Sequence, residues 1–169
     1  LAKLLGPKGG KIIYLEGTEG SSPQRSRNAG LLGVLNNHPE ITIADRRFAG
    51  FQEDKAKGVM TDLVRRFQPG EVQAIVAQSD EMALPAAEVA QAEGWKDVVV
   101  LGFDGNQRAF AAVRDGRLQS TILQDPKEQG AKAVELLAGH LRGETIPPEN
   151  ITPLRLITKT NVDKFQPAY

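Results

Sequence analysis

The chain has 169 residues and is 40% hydrophobic, which is enough for the core of one domain, or of one domain and part of a second. Lysine plus arginine and aspartate plus glutamate number 21 each, so no excess of positive charge favours non-specific binding to nucleic acid. The lack of cysteine excludes disulfides, zinc-thiolate sites and thiol nucleophiles, and no apolar run reaches the roughly 18 residues of a membrane span.

Strands and helices alternate along the first part of the chain. Residues 11–15 (KIIYL) predict a strand, and Ser22 followed by Pro23 predicts the start of a helix, with serine as the N-cap and proline at the first helical position. A second strand is predicted at residues 41–44 (ITIA). Apolar residues between 59 and 67 then recur at the spacing of one buried helix face.

The same alternation continues to the end of the chain. Residues 97–103 (DVVVLGF) are apolar without alternation, which predicts a strand buried on both faces. Asp125 before Pro126 predicts a capped helix start. The remaining predicted elements are strands at 72–78, 118–124 and 154–157, and helices at 80–93, 107–114 and 125–142.

This order of elements predicts βαβ units, hence an α/β fold with a doubly wound parallel sheet. In such sheets ligands bind at the carboxyl ends of the strands. A carboxylate accepts protons from adjacent hydroxyls, a guanidinium donates a fork of hydrogen bonds, and an aromatic face covers C–H surface, so a polyhydroxylated ligand is indicated. The residues at these ends that offer such groups are Arg27, Phe51, Ser79, Asp80, Asp104 and Gln124.

Two of these polar residues have an equally good structural interpretation. Ser79 precedes a predicted helix and Asp104 lies just before another, and both residue types are favoured N-caps. Asp80 and Glu81 are adjacent, so their side chains point about 100° apart on a helix and suit the positive helix start better than a shared acid–base role.

Catalytic patterns are lacking. The sequence contains no Ser-His-Asp set, nucleophile elbow or metal-ligand cluster, and the glycine-rich loop at 17–22 matches neither phosphate-binding nor dinucleotide-binding spacing. The sequence therefore predicts a protein that is not an enzyme and needs no cofactor.

Four stretches carry a family resemblance: VQAIVAQSDEMAL at 72–84, VVVLGFDG at 98–105, DGRLQSTILQDPKEQG at 115–130 and LITKTNVDKF at 156–165. In order and spacing they resemble the periplasmic ribose-binding-protein family, the sugar receptors of bacterial ATP-binding-cassette importers. The resemblance covers nearly the whole chain from about residue 11. It implies a periplasmic-binding-protein-like type I lobe, namely the carboxy-terminal one, with the amino-terminal lobe missing.

The resemblance also implies roles for individual residues. Arg27 falls at the family's sugar-binding arginine, Phe51 at its stacking aromatic, Asp104 at the carboxylate that binds sugar hydroxyls, and Gln124 at the hinge-side glutamine. Ser79 stands where similar members have asparagine, so the sugar and its anomer are left open. No metal ligand is implied.

A division of the chain follows from the same resemblance. Residues 1–124 are expected to form the sugar-binding lobe, 125–153 a crossover helix and loop that packs on the missing lobe, and 154–169 a returning strand and tail. The helix at 125–142 would then expose an apolar stripe and favour self-association or a separate partner. That stripe comprises Val134, Leu137 and Leu141.

The expected function is the substrate-binding component of a bacterial sugar importer, which binds a monosaccharide or polyol between two lobes and presents it to a membrane permease. Such a protein is periplasmic, or extracytoplasmic and lipid-anchored in a Gram-positive cell, and binds no nucleic acid. An alternative is the sugar-effector domain of a lactose-repressor-family regulator, and a third is a phosphosugar or nucleotide enzyme on the same type of fold.

Overall fold

The computed structural model describes the whole chain, Leu1–Tyr169. A six-stranded sheet forms its centre in the order β2-β1-β3-β4-β5-β6, and the first five strands are parallel while β6 runs antiparallel to β5. The predicted doubly wound α/β fold is thus confirmed. The strands are β1 Gly10–Glu16, β2 Ile41–Phe48, β3 Ala74–Ala77, β4 Val99–Leu101, β5 Ser120–Leu123 and β6 Arg155–Thr158. The helices are α1 Ala2–Leu5, α2 Ser22–Leu35, α3 Glu53–Arg66, α4 Asp80–Ala92, α5 Gln107–Asp115 and α6 Pro126–Leu141.

The main hydrophobic core lies on one face of the sheet, beneath α3, α4 and α5. Its largest fully buried helical side chains include Met60 of α3, Met82 of α4 and Phe110 of α5, which cover strand residues such as Ile13 and Ile75. Burying a side chain of this size stabilises the fold by roughly 1.5–3 kcal/mol. This packing fixes the strands against the helices and so positions the carboxyl ends of the strands.

The opposite face of the sheet is covered less completely. A smaller cluster around Ile12, Ile41 and Ala74 packs there against α1 and α2. The strand predicted at residues 97–103 is shorter and comprises only Val99–Leu101. The prediction that it is buried on both faces is wrong, because Val99 and Leu101 remain partly exposed. A groove of about 530 Å³ passes over this region of the sheet.

Strand β2 is longer than its apolar residues predict. Its last part, residues 45–48 (DRRF), continues the parallel pairing with β1 as far as Glu16 opposite Phe48. Ion pairs support this polar end of the strand, since Asp45 binds Arg47 and Arg66, and Arg46 binds Glu16. Hydrophobic patterning gives no signal for such a segment.

The helix starts differ in detail from their prediction. Helix α2 has Ser21 rather than Ser22 as its N-cap, and no side-chain hydrogen bond caps it. Asp125 caps α6 as predicted, because its side chain accepts from the backbone N–H groups of Lys127 and Glu128. The four-residue helix α1, which was not among the predicted elements, packs on the sheet face. None of the helices combines the length and apolarity needed to cross a bilayer.

Helix α6 leaves the sheet after β5 and the chain returns to it as β6. The two strands pair antiparallel, with Leu123 opposite Arg155, so the excursion begins and ends at adjacent points. One ion pair, between Glu128 and Arg155 at 2.9 Å, holds the base of the helix. The apolar stripe of α6 is exposed to 69% at Val134, 59% at Leu137 and 78% at Leu141.

Candidate ligand site at the strand ends

Three of the predicted site residues meet at the carboxyl ends of the strands. Nη2 of Arg27, from α2, lies 3.1 Å from Oδ1 of Asp104, and Nε2 of Gln124 donates to the same oxygen at 2.6 Å. Arg27 also donates through Nη1 to the backbone carbonyl of Gln78 at the end of β3. Both protein donors use Oδ1, so the Oδ2 atom of Asp104 is left as an acceptor for a ligand.

Aromatic rings flank this polar cluster. The guanidinium carbon of Arg27 lies 3.8 Å from the centroid of the Phe103 ring and 5.6 Å from that of Phe51. The ring of Phe51 rests against Gly17, where an added Cβ would overlap it. The rings hold the guanidinium plane through cation–π contact, so Arg27 is oriented before any ligand arrives. Phe103 was not among the predicted site residues, because it reads as the last apolar residue of a buried strand.

The backbone at Asp104 is constrained. Its φ is 113°, a conformation that costs a non-glycine residue free energy and persists only where neighbours hold it. Its N–H donates to the carbonyl of Ile122 at 2.8 Å, and its own carbonyl accepts from the N–H of Gln124 at 3.2 Å. The alternative role of Asp104 as a helix cap is wrong, since Asn106 caps α5 by accepting from the N–H of Ala109.

The electrostatics of Asp104 suit a buried hydroxyl acceptor. Burial raises the pKa of its carboxyl to about 6, and the neighbouring guanidinium of Arg27 opposes the rise. Asp104 is therefore mainly ionised at neutral pH and mainly protonated below about pH 6. In the ionised form it makes charge-assisted hydrogen bonds, which are stronger than neutral ones.

Ser79 occupies a different environment from Arg27, Phe51, Asp104 and Gln124. It stands at the N-cap position of α4, but its side chain makes no cap hydrogen bond, so the predicted side-chain cap is wrong. The residue is only 2% exposed, and its Oγ is buried without a partner. Its predicted contact with a ligand stays a prediction.

The acidic residues at the start of α4 also differ from their prediction. The side chain of Asp80 is fully buried and accepts hydrogen bonds from the backbone N–H groups of Gly105 and Asn106. Glu81 accepts from the side-chain amide of Asn106 at 3.0 Å. Both carboxyls thus reach across to the loop that follows β4, besides lying in the first turn of their own helix. Sequence periodicity does not report such contacts between a helix and a distant loop.

A buried network under the site connects β1, β3 and α2. Oε1 of Gln78 accepts from the N–H of Gly17 at 2.9 Å, and its Nε2 donates to the carbonyl of Gln24 at 3.0 Å and to the hydroxyl of Tyr14. Gln24 in turn donates to the buried carboxylate of Glu16 at 2.6 Å. Because α2 carries Arg27, this network fixes the position of the arginine. The sequence offered one signal for it, a glutamine at the end of an otherwise apolar strand.

A parallel α/β sheet in this order, with a polar cluster at the carboxyl ends of β3, β4 and β5, is the arrangement of one lobe of a type I periplasmic binding protein. Residues 1–145 match the family described as "Periplasmic binding protein domain". The chain belongs to this family.

Among its relatives, the ribose import binding protein of Salmonella typhimurium is 38% identical over 159 residues, which are 94% of this chain and 52% of that protein. The chain thus spans about half the length of the curated relatives it matches, and its resemblance to ribose-binding proteins is confirmed.

Solved structures show the same fold. An ABC transporter solute-binding protein from Actinobacillus succinogenes with bound D-allose superposes with a TM-score of 0.90 and 28% identity, over 98% of this chain and 58% of that one. A solute-binding protein from Bacillus halodurans with bound myo-inositol gives 0.87 and 31%, over 96% and 56%. Proteins of this family bind solutes, which agrees with the expectation that the chain is not an enzyme.

Proposed function

We propose that this chain is the sugar-binding lobe of a solute receptor and takes a monosaccharide or cyclic polyol at the carboxyl ends of its strands. The observation that carries the proposal is the carboxylate of Asp104, which uses one oxygen for Arg27 and Gln124 and keeps the other free. Phe51 and Phe103 flank the same cluster with apolar surface. A ring with hydroxyls on its edge and C–H groups on its face matches this arrangement.

Binding in this site adds ligand contacts to polar groups that the protein already holds in place. Without ligand, Arg27 and Gln124 both donate to Asp104. A ligand hydroxyl donates to Oδ2 of Asp104, and a neighbouring ligand oxygen accepts from the guanidinium of Arg27, which keeps its carbonyl contact to Gln78. Arg27 and Gln124 keep protein partners throughout, and the free Oδ2 of Asp104 gains a donor, so binding leaves none of these groups without a partner.

We extend the proposal to the longer protein of which such a lobe is part. A second lobe closes over the ligand, and the closed form docks on the membrane permease of an ABC importer, in the periplasm or, lipid-anchored, at the surface of a Gram-positive cell. The partial exposure of Arg27 and Asp104, 15% and 13% of their side chains, supports this, because a second lobe can cover a ligand bound to them.

A titration followed by NMR tests the proposal. The 169-residue chain is titrated with D-ribose, D-allose and myo-inositol up to tens of millimolar, because one lobe alone contacts only part of a ligand and binds it weakly. We expect saturable amide shifts around Asp104 and Phe51 with at least one of the three. No saturable shift with any of them refutes the proposal, and a DNA-binding head in the upstream sequence would assign the lobe to a transcription regulator instead.

Replacing Gly17 with alanine tests whether the ring of Phe51 contributes to sugar binding. The added Cβ overlaps the ring of Phe51, so we expect the ring to move and sugar affinity to fall by roughly 3–10-fold, as when one stacking contact is lost. Gly33→Ala is the matched control, because it lies further along α2 and a Cβ there meets nothing within 4 Å. Equal affinities of both variants in the same titration would contradict the role of Phe51.

The stripe of α6 predicts association between two copies of the isolated chain. Next to the exposed Val134 and Leu137, the helix carries Lys132 and Glu135, opposite charges that two antiparallel copies can exchange across a two-fold contact. In sedimentation velocity we expect a dimer fraction that rises with concentration and that Val134→Gln with Leu137→Gln reduces severalfold, since a dimer depends on apolar burial. Glu149→Gln, at an exposed position outside the helix, is the control. A monomer at all concentrations would refute it.

A further inference from the structure

The carboxylate of Asp80 lies beneath the loop that carries Asp104, and ligand contact does not explain it. Its Oδ2 accepts from the N–H of Gly105 at 2.7 Å and from that of Asn106 at 3.0 Å, while its Oδ1 accepts from Oγ1 of Thr121 in β5 at 2.7 Å. Asp80 thereby joins α4, the loop after β4 and the neighbouring strand β5. It is fully buried and has no exposed surface for a ligand.

The two N–H groups that donate to Asp80 belong to Gly105 and Asn106, the residues directly after the strained Asp104. Asp104 has φ 113° and Gly105 has φ 78°, so the chain turns sharply there and points two successive N–H groups towards α4. Without an acceptor these two N–H groups would be buried donors, and an unpaired buried donor destabilises the conformation that contains it. Asp80 supplies the acceptor and so stabilises the backbone conformation that aims the Asp104 side chain at the site.

The surroundings of Asp80 are shaped for its carboxylate. Gly102, between β4 and the loop, has no Cβ, and a Cβ placed there would collide with Oδ1 of Asp80. The N–H of Asp80 itself donates to the carbonyl of Phe103 at 2.7 Å. Both the backbone and the side chain of Asp80 therefore bond to the segment that follows β4. An acid that served only the helix start would need neither contact, since the helix dipole acts on exposed carboxylates as well.

Resting on the proposed function, we propose that Asp80 is a positioning residue: it holds the Asp104–Asn106 loop in the ligand-accepting conformation and thereby sets sugar affinity without touching the sugar. Hydrogen-bond geometry, more than negative charge, performs this role. Burial raises the pKa of Asp80 to about 7, while its bonds to Thr121, Asn106 and Gly105 lower it, so the residue is partly protonated near neutral pH. A neutral side chain of the same shape should therefore support the loop.

Asp80→Asn and Asp80→Ala separate geometry from charge. In Asp80→Asn the amide oxygen accepts from Gly105 and Asn106, and the amide nitrogen donates to Oγ1 of Thr121, so all three contacts survive. In Asp80→Ala they are all lost. We expect sugar affinity within about threefold of wild type for the asparagine variant and a loss of roughly tenfold or more for alanine, in the titration described above.

A second measurement on the same chain does not depend on sugar. Hydrogen exchange of the Gly105 and Asn106 amides, read by NMR, reports whether the loop is held. We expect exchange to accelerate about 10–100-fold in Asp80→Ala and to stay near the wild-type rate in Asp80→Asn. Gly102→Ala keeps the carboxylate but displaces it, so it should accelerate exchange as well, which provides a test if the alanine variant does not fold.

The outcomes separate the two proposals. Unchanged exchange and affinity in both Asp80→Ala and Gly102→Ala would overturn the positioning role, and so would an equal loss in Asp80→Asn and Asp80→Ala. If no sugar binds wild-type chain, the proposed function fails, yet amide exchange still shows whether Asp80 holds the loop.

Discussion

Replacing Asp104 with alanine is expected to weaken sugar binding by roughly 10–100-fold, the value of one or two charge-assisted hydrogen bonds. The variant loses the free Oδ2 acceptor and also releases Arg27 and Gln124, which both donate to Oδ1. Isothermal titration calorimetry on the sugar that gives the largest shifts measures the loss. Circular dichroism should show an unchanged fold, because the backbone of the loop is held by other contacts.

Asp163→Ala is the matched control for this substitution. It removes the same charge from a side chain that is 80% exposed and that pairs only with Arg114 on the surface. Exposed pairs of this kind contribute little, so both affinity and stability should stay within experimental error of wild type. An Asp104→Ala variant that binds as tightly as Asp163→Ala would remove Asp104 from the site.

The stability of the fold is expected to rise as the pH falls from 8 to 5. Burial raises the folded-state pKa of Asp80 to about 7 and that of Asp104 to about 6, both from a value of 3.8. In this window the folded chain binds more protons than the unfolded chain, so acidification favours folding. The gain is on the order of 4 kcal/mol in the free energy of unfolding, and urea denaturation at several pH values measures it.

The trend should reverse at lower pH. Arginine partners lower the folded-state pKa of Glu53 and Asp115, and their stabilisation is present above the unfolded value and lost as the pH falls through the folded one. Maximum stability is therefore expected near pH 5. Asp80→Asn removes the titrating group with the larger shift and should flatten the slope between pH 8 and 6. A wild-type chain that loses stability on going from pH 8 to 5 would contradict the assigned shifts.

The order of elements could be predicted from sequence because apolar residues recur at the periods of strands and helices. Residues 72–78 and 118–124 contain β3 and β5, and Asp125 before Pro126 gave the start of α6. The pattern failed where packing does not depend on apolar residues. The end of β2 is held by ion pairs, and the partly exposed β4 carries as apolar a sequence as a strand covered on both faces.

Part of the candidate site could also be predicted, since parallel strands bring their carboxyl ends to one edge. Arg27, Phe51, Asp104 and Gln124 do lie together there. What could not be predicted is the direction of each side chain. The side chain of Asp80 is directed towards the loop after β4 by three hydrogen bonds to other elements, and no spacing within the sequence encodes these bonds.

The antiparallel pairing of β5 with β6 determines where α6 is attached to the sheet. Since Leu123 lies opposite Arg155, the chain leaves and re-enters the sheet through neighbouring backbone positions. Strands β5 and β6 therefore form a β-hairpin, and the segment that connects them contains helix α6. A displacement of α6 relative to the sheet would begin at these neighbouring positions, which the Glu128–Arg155 ion pair also joins. Gln124 follows β5 directly and donates its amide to Asp104, so the chain passes from the sheet to α6 through a residue of the candidate site.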